Sequence, residues 1–395
     1  MFPTDVVIVA GARTPMSRYT GAFSDVSAID LAVAASKEAI RRSNADPGEF
    51  DHAIFGNVMQ TSADALYGAR HVALKAGLKT ETPAVTVNRL CGSGIESISQ
   101  AAQRLLLGEC ELILAGGMEN MTQAPFVIRG LRNGLKLGGG VLEDSLMAGL
   151  TDTYCGLPMA LTAEKLAEQH GITRKDADAY ALRSQQAADA AYKACRMKEE
   201  LVPVEVKQGR KTIVIGEDDH RRPDTTMEIL EKLQPSFKKD GIVTAGNASG
   251  IVDGAAAVVV TREKIAKQRG LKPMGRIVSW ATAGVDPSIM GIGPVPSSQK
   301  ALKSAGLTIE QMDRVEVNEA FAAQYLAVEK ALGLNREKTN VNGGAIALGH
   351  PLGATGTRLV ITLLNELRRD GLRYGLATAC IGGGQGIAII VESIA

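Results

Sequence analysis

Short apolar runs alternate along the chain with stretches whose apolar positions recur every three or four residues. That alternation predicts strands interleaved with amphipathic helices. Val6 to Val9 reads as a strand closed by a glycine turn, a helix begins near Asp30, and ADPGEFDHAIFGNV brings in a strand ending at Asn57. The same order returns late in the chain, with a strand from Arg276 to Ser279, a helix from Ser297 and GLTIEQMDRVEVNEAF passing Asn318. Each copy continues with a strand, Val-Asn and a glycine-rich turn into a helix: AVTVNRLCGSGIES first, KTNVNGGAIALGHPLGATG second. Each then closes on strand, glycines and strand, as LILAGGMENM with VDGAAAVVV and as LATACIGGGQGIAIIV. The repetition predicts two doubly wound α/β halves set side by side as a layered sandwich.

Between the two closing strands of the first copy lies an insertion of different composition, about Thr122 to Gly250. It opens with Gly130, Gly134 and Gly138 to Gly140, continues as an Ala-rich amphipathic helix from Thr173 to Arg196, and carries most of the basic clusters. The expected organisation is an N-terminal half of residues 1–121 plus 251–272, an inserted domain of 122–250, and a C-terminal half of 273–395.

Composition narrows the partners. The 395 residues carry 44 Lys and Arg against 43 Asp and Glu. A net charge of +1 leaves no general electrostatic footprint for nucleic acid or an anionic membrane. No apolar run approaches the ~20 residues a spanning helix needs. The opening lacks the basic-then-apolar form of a signal peptide, so the chain is not expected to be secreted. Five widely spaced cysteines, with no CxxC and no nearby histidine pair, fit free thiols in a reducing compartment rather than a metal site or disulfide framework.

The strongest local signal is Cys91, which follows the strand Ala84 to Val87 and precedes a helix with Ile95, Ile98, Ala102 and Leu105 on one face. A cysteine at a helix N-terminus meets unpaired N–H groups and the positive end of the macrodipole, which favour a thiolate. The competing reading is a small buried cysteine in a tight turn. His350 stands in ALGHPLGATG, where Pro351 biases it out of helical geometry. There it serves either as a general base for a thiol or as a helix cap. The histidines at 52, 71, 170 and 220 have polar surroundings and read as solvated. Cys380 ends a strand and is followed by Ile381 and by Gly382 to Gly384, whose consecutive N–H groups are the material of an oxyanion hole. A dinucleotide loop is excluded there, because these glycines lead into a strand and not a helix. Asn318 in VEVNEAF either orients a water or carbonyl or satisfies a turn.

In order, NRLCGSG, GGMENM, NEAF, GGAIALGHPLGATG and CIGGGQG resemble the signatures of the thiolase family, and the likeness covers essentially the whole chain. The resemblance implies a thiolase-like αβαβα sandwich of two duplicated halves with an inserted loop domain. It implies thiolytic cleavage of 3-ketoacyl-CoA, or its reverse condensation, through an acyl-cysteine. By the same resemblance Cys91 is the acylated nucleophile, His350 the base that activates it, and Cys380 the acid/base at the α-carbon of acetyl-CoA. His350 with a water on Asn318 makes one oxyanion hole, and the N–H groups of Cys91 and Gly382 the other. Arg222 and Ser249 align with positions that contact CoA, and Met159, Phe321 and Met290 with the acyl pocket, although a surface arginine and core apolar residues explain the same letters. Coenzyme A is implied as co-substrate, with no permanently bound cofactor and no metal. A homo-oligomer, dimer or tetramer, is implied, with tetramer contacts around Gly130 to Gly140. The implied compartment is the cytoplasm in a bacterium, or the mitochondrial or peroxisomal matrix in a eukaryote. Leu157-Pro158-Met159, LRNGLKLGG and PSIMGIGPVP are similar to the mitochondrial-type 3-ketoacyl-CoA branch, where short-chain members often carry a His directly before the pocket Met. Decarboxylating ketoacyl synthases share the fold but lack the second cysteine, and a non-catalytic CoA scaffold would have no need of the reactive set.

Overall fold

The run Val6–Arg13 is buried at every position, which a strand allows only when both of its faces are covered. It is β1 of a computed structural model that describes residues 4–394; the outermost residues of the 1–121 and 273–395 segments, 1–3 and 395, lie outside the described residues. The main elements of the first half are then α1 (Ala28–Ser43), β2 (His52–Gly56), α2 (Gly68–Ala76), β3 (Ala84–Val87), α3 (Ser93–Leu106) and β4 (Leu112–Glu119). The chain leaves the sheet here, forms α4 (Met159–His170) and α5 (Arg174–Lys193), and returns as β5 (Val252–Arg262). The second half runs β6 (Gly275–Gly284), α6 (Pro294–Ala305), β7 (Arg314–Val317), α7 (Ala322–Leu332), α8 (Leu352–Arg369), β8 (Tyr374–Ile381) and β9 (Gln385–Ser393).

The two halves pair their strands alike. In the first, β3, β2 and β4 are parallel, β5 lies antiparallel to β4 with Val258 opposite Ala115, and β1 lies antiparallel to β5. In the second, β7 and β8 are parallel, and β9 and β6 follow antiparallel, with Trp280 opposite Ile389. A single parallel bridge from Thr339 to Val315 stands where β3 stands in the first half. The halves are also joined edge to edge, since Val7 and Ile8 of β1 pair with Arg276 and Gly275 of β6. The order is thus β7-β8-β9-β6-β1-β5-β4-β2-β3.

Helices complete five layers. Helices α1 and α2 cover the outer face of the first half, and α6 covers the outer face of the second beside α7. Between the halves lie α3 and α8, packed in a core of Ile8, Ile98, Ile113, Val258, Leu359 and Ile389. The two central helices cross backbone to backbone: a Cβ on Gly94 would lie 2.9 Å from Gly356 Cα, and one on Gly356 3.0 Å from the Gly94 carbonyl carbon.

Two expectations are corrected. Gly11 is not a turn but lies inside β1, where a Cβ would fall 2.7 Å from Ile361 of α8, so a glycine read as punctuation is a packing requirement. His52 is not solvated: it is 7% exposed within β2, with Nδ1 3.0 Å from the Ala53 carbonyl.

Candidate active site

A turn with a strained residue presents Cys91. Leu90 has φ of 47°, a left-handed conformation that costs an L-residue about 1–2 kcal/mol. It is held by an N–H bond to Asn88 Oδ1 at 2.9 Å, while Ser93 Oγ accepts from Arg89 N–H at 2.9 Å. Gly92 follows because a Cβ there would come 2.5 Å from Ile381. Cys91 therefore projects half-buried at the start of α3.

His350 is presented by the second copy's equivalent turn. Its backbone N–H bonds Gly250 O at 2.9 Å, and its ring is 5% exposed. Nδ1 lies 2.6 Å from Thr355 Oγ1, and that hydroxyl donates its one proton to Pro351 O at 2.9 Å. Thr355 must therefore accept from Nδ1–H, which leaves Nε2 as the bare nitrogen. Asn318 Nδ2 lies 3.3 Å from that Nε2, while Asn318 Oδ1 is buried without a protein partner.

Cys91, His350 and Cys380 line one cavity of about 320 Å³, together with Met159, Phe321, Met290 and Ser249. Cys380 is fully buried at the end of β8. The turn after it uses Gly383 and Gly384, both at φ 78°, and the N–H of Gly382 favours the ionised form of the Cys91 sulfur. Arg222 does not line this cavity: its side chain is exposed, and its backbone is engaged, the N–H by Gln185 Oε1 at 2.9 Å and the carbonyl by Thr225 N at 3.1 Å and Thr225 Oγ1 at 2.7 Å. Ser249 belongs to a segment stitched to both motifs around it. Ser249 N bonds Ala320 O at 3.0 Å, Ala322 N bonds Asn247 O at 2.8 Å, and Gly250 O takes the His350 N–H.

The electrostatics differ from the sequence expectation. Burial pushes the Cys91 thiol up to about 11, against the N–H groups of Gly382 and Cys91 that pull it down. Burial, and then Arg358, pushes His350 down to about 3. Cys380 is pushed well above the usual thiol range by burial and by Cys91. The helix N-terminus alone does not make a thiolate here, because desolvation outweighs it. The resting site is a neutral thiol beside a neutral imidazole.

Sequence reasoning missed Thr355, and it missed the part of the cavity wall contributed by Met121, Met147, Leu150 and Phe237. The spacing His350 to Thr355 carried the first signal, one turn into a helix; the wall left none, since Met121, the short helix of Met147 with its cap Leu150, and Phe237 are far apart in the chain.

Two pseudo-equivalent α/β halves, with a cysteine and a histidine presented at helix starts and a second cysteine lining the same cavity, define an acyl-transferring fold of the thiolase kind. The family models for the thiolase N-terminal and C-terminal domains match residues 6–264 and 271–393, and the chain belongs to the thiolase family. It is 53% identical over 393 residues to the human mitochondrial 3-ketoacyl-CoA thiolase, covering 99% of this chain and 98% of that protein. It is 46% identical over 395 residues to the acetyl-CoA acetyltransferase of Syntrophomonas wolfei, covering 99% of each. The crystal structure of human mitochondrial 3-ketoacyl-CoA thiolase in complex with CoA superposes with a TM-score of 0.96 at 53% identity, covering 98% of both chains.

Proposed function

We propose that this protein cleaves 3-ketoacyl-CoA with CoA to acetyl-CoA and a shortened acyl-CoA, and runs the reverse condensation, through an acyl-Cys91 intermediate. The observation that carries this reading is the convergence of Cys91, His350 and Cys380 on one apolar cavity. His350 Nε2 takes the Cys91 proton as the sulfur attacks the 3-keto carbon. The C2–C3 bond then breaks, and its electron pair leaves on acetyl-CoA as an enolate that Cys380 protonates. CoA then gives its thiol proton to the Cys380 thiolate and takes the acyl group, and the departing Cys91 sulfur recovers its proton from His350. A neutral starting pair suits this sequence, because charge develops only when the thioester is present to use it. The tetrahedral oxygen on the acyl carbon falls to the N–H groups of Cys91 and Gly382. The enolate oxygen falls to His350 with a water whose second partner is the Asn318 oxygen. A decarboxylating ketoacyl synthase would leave Cys380 without a task.

Coenzyme A enters as co-substrate along Ser249, with no resident cofactor; the exposed Arg222 is suited only to the nucleotide end of such a ligand. Met159, Phe321 and Met290 surround the reacting acyl group. The division into 1–121 plus 251–272, 122–250 and 273–395 follows the same reading. So does a homo-oligomer, supported by the exposed Leu131, Leu135, Leu137, Val141 and Leu142 on the 122–250 segment. The five free cysteines suit a reducing compartment, and no helix among the described residues is long and apolar enough to cross a membrane.

The test is acyl labelling with acetyl-CoA. Cys91→Ser should take no label, while Cys380→Ser should still be acylated yet fail to exchange carbon between acetyl-CoA and acetoacetyl-CoA. Label on another thiol of the Cys91→Ser protein would overturn the assignment.

A further inference from the structure

Helix α8 begins with a deficit. Its N-cap is Pro351, which has no side-chain acceptor, and a helix start leaves several backbone N–H groups without partners. Pro351 O accepts from Ala354 and Thr355, each at 2.9 Å. The N–H of Gly353 is taken from outside the helix, by Glu119 Oε2 at 2.8 Å. Glu119 lies 234 positions earlier in the chain, as the last residue of β4. Its other donors follow β2: Asn57 Nδ2 at 3.0 Å, Val58 N at 3.1 Å and Met59 N at 2.9 Å. The carboxylate is fully buried.

The contact is also sterically locked. A Cβ on Gly353 would lie 2.5 Å from Met118 O and 2.9 Å from Gly56 O, so the start of α8 is pressed against the ends of β4 and β2. Gly353 follows His350 by three residues, whereas Glu119 belongs to the half that carries Cys91. We infer that Glu119 is a positioning residue for acyl transfer: its ionised carboxylate caps the His350-bearing helix from the Cys91-bearing half and so fixes the approach of imidazole to sulfur. All four partners are N–H donors. Only an acceptor-only carboxylate meets all four, whereas an acid or an amide turns one donor toward another. Burial pushes Glu119 up to about 7, and the N–H groups of Met59, Gly353 and Val58 pull it back toward the ionised form.

This inference rests on the thiolase reading above, and the experiment separates the two. Glu119→Gln keeps the size and loses an acceptor, and it should lower kcat about a hundredfold, as a displacement near 1 Å does, with KM for CoA changed by less than about twofold. Glu119→Asp keeps the charge but withdraws it by one methylene, and it should lower kcat roughly tenfold. Asn57→Ala removes the bonds to Glu119 and to Met118 O but leaves the Gly353 contact. It should lower the melting temperature as much as Glu119→Gln does, with kcat within about threefold of wild type. If kcat follows melting temperature across the three variants, or if Glu119→Asp retains wild-type kcat, Glu119 is merely structural and the inference falls. Should Glu119→Gln not accumulate as folded protein, the aspartate and alanine variants decide alone. A wild-type protein that takes no acyl group on Cys91 would sink the thiolase reading instead.

Discussion

His350 is held neutral by its surroundings, and that has a measurable thermodynamic trace. Its ordinary value of 6.5 falls to about 3 on folding. Between those values the unfolded chain binds a proton that the folded protein refuses. This contribution to stability is therefore complete above 6.5 and is lost as the pH falls toward 3, at about 1.4 kcal/mol per pH unit. Glu316 acts in the opposite sense. Burial pushes it up to about 8, so it favours the folded state below its ordinary range and loses that advantage as the pH rises. His350→Gln isolates the imidazole. Going from pH 7 to pH 4, the wild type should lose about 3 kcal/mol more stability than the variant in urea unfolding; equal losses would mean that the ring is as solvated as in the unfolded chain. Cys91, His350 and Cys380 were legible in the sequence because each sits in a short motif bounded by glycine or proline. Their protonation states were not, because burial is set by segments far away in the chain.

Elements place these residues through glycine. Helices α3 and α8 start two residues after Cys91 and His350, and they touch where Gly94 faces Gly356, a separation only hydrogen side chains permit. A methyl group on Gly356 would press on Ile95 N and on the Gly94 carbonyl carbon, which are backbone atoms with no rotamer to yield. Gly356→Ala should therefore cost about 3 kcal/mol, the upper end for an overpacked core, and urea unfolding would register it. Because the crossing lies within two turns of both reactive residues, turnover should fall as well. A stable and fully active Gly356→Ala protein would mean that the helix pair tolerates sliding. The element order and the duplication were readable from periodicity, since strands and helices leave their period in neighbouring letters. Gly11 was misread for a reason of the same kind: one letter does not distinguish a glycine that turns the chain from one that admits a helix.

Two of the attachments that fasten the insertion to the rest of the molecule differ in kind. One is the stitch of Asn247, Ser249 and Gly250 to the segments bearing Phe321 and His350, which closes the cavity. The other is Arg13 of β1, fully buried, with Nε 2.6 Å from Glu200 and Nη1 2.7 Å from Asp218. Tyr192 OH on α5 reaches Asp218 Oδ2 at 2.6 Å, and Thr362 of α8 reaches Glu200 Oε2 at 2.8 Å. Burial alone would raise the Asp218 carboxyl, but the Arg13 guanidinium and the hydrogen bonds around it hold it below the usual carboxylate range. No periodicity announced this cluster, because Arg13 and Asp218 stand 205 positions apart. Arg13→Met would leave both carboxylates buried without their cation, and breaking such a group costs about 3–5 kcal/mol. The reactive residues depend on the other fastening, so kcat of the protein that remains folded should stay within about twofold of wild type. Adding Glu200→Met and Asp218→Leu to Arg13→Met should recover most of the lost stability, since the penalty comes from stranded charge and not from lost volume. If the triple variant is no more stable than Arg13→Met, packing rather than charge fastens the insertion here. If Arg13→Met loses kcat in step with stability, the two attachments form one cooperative unit.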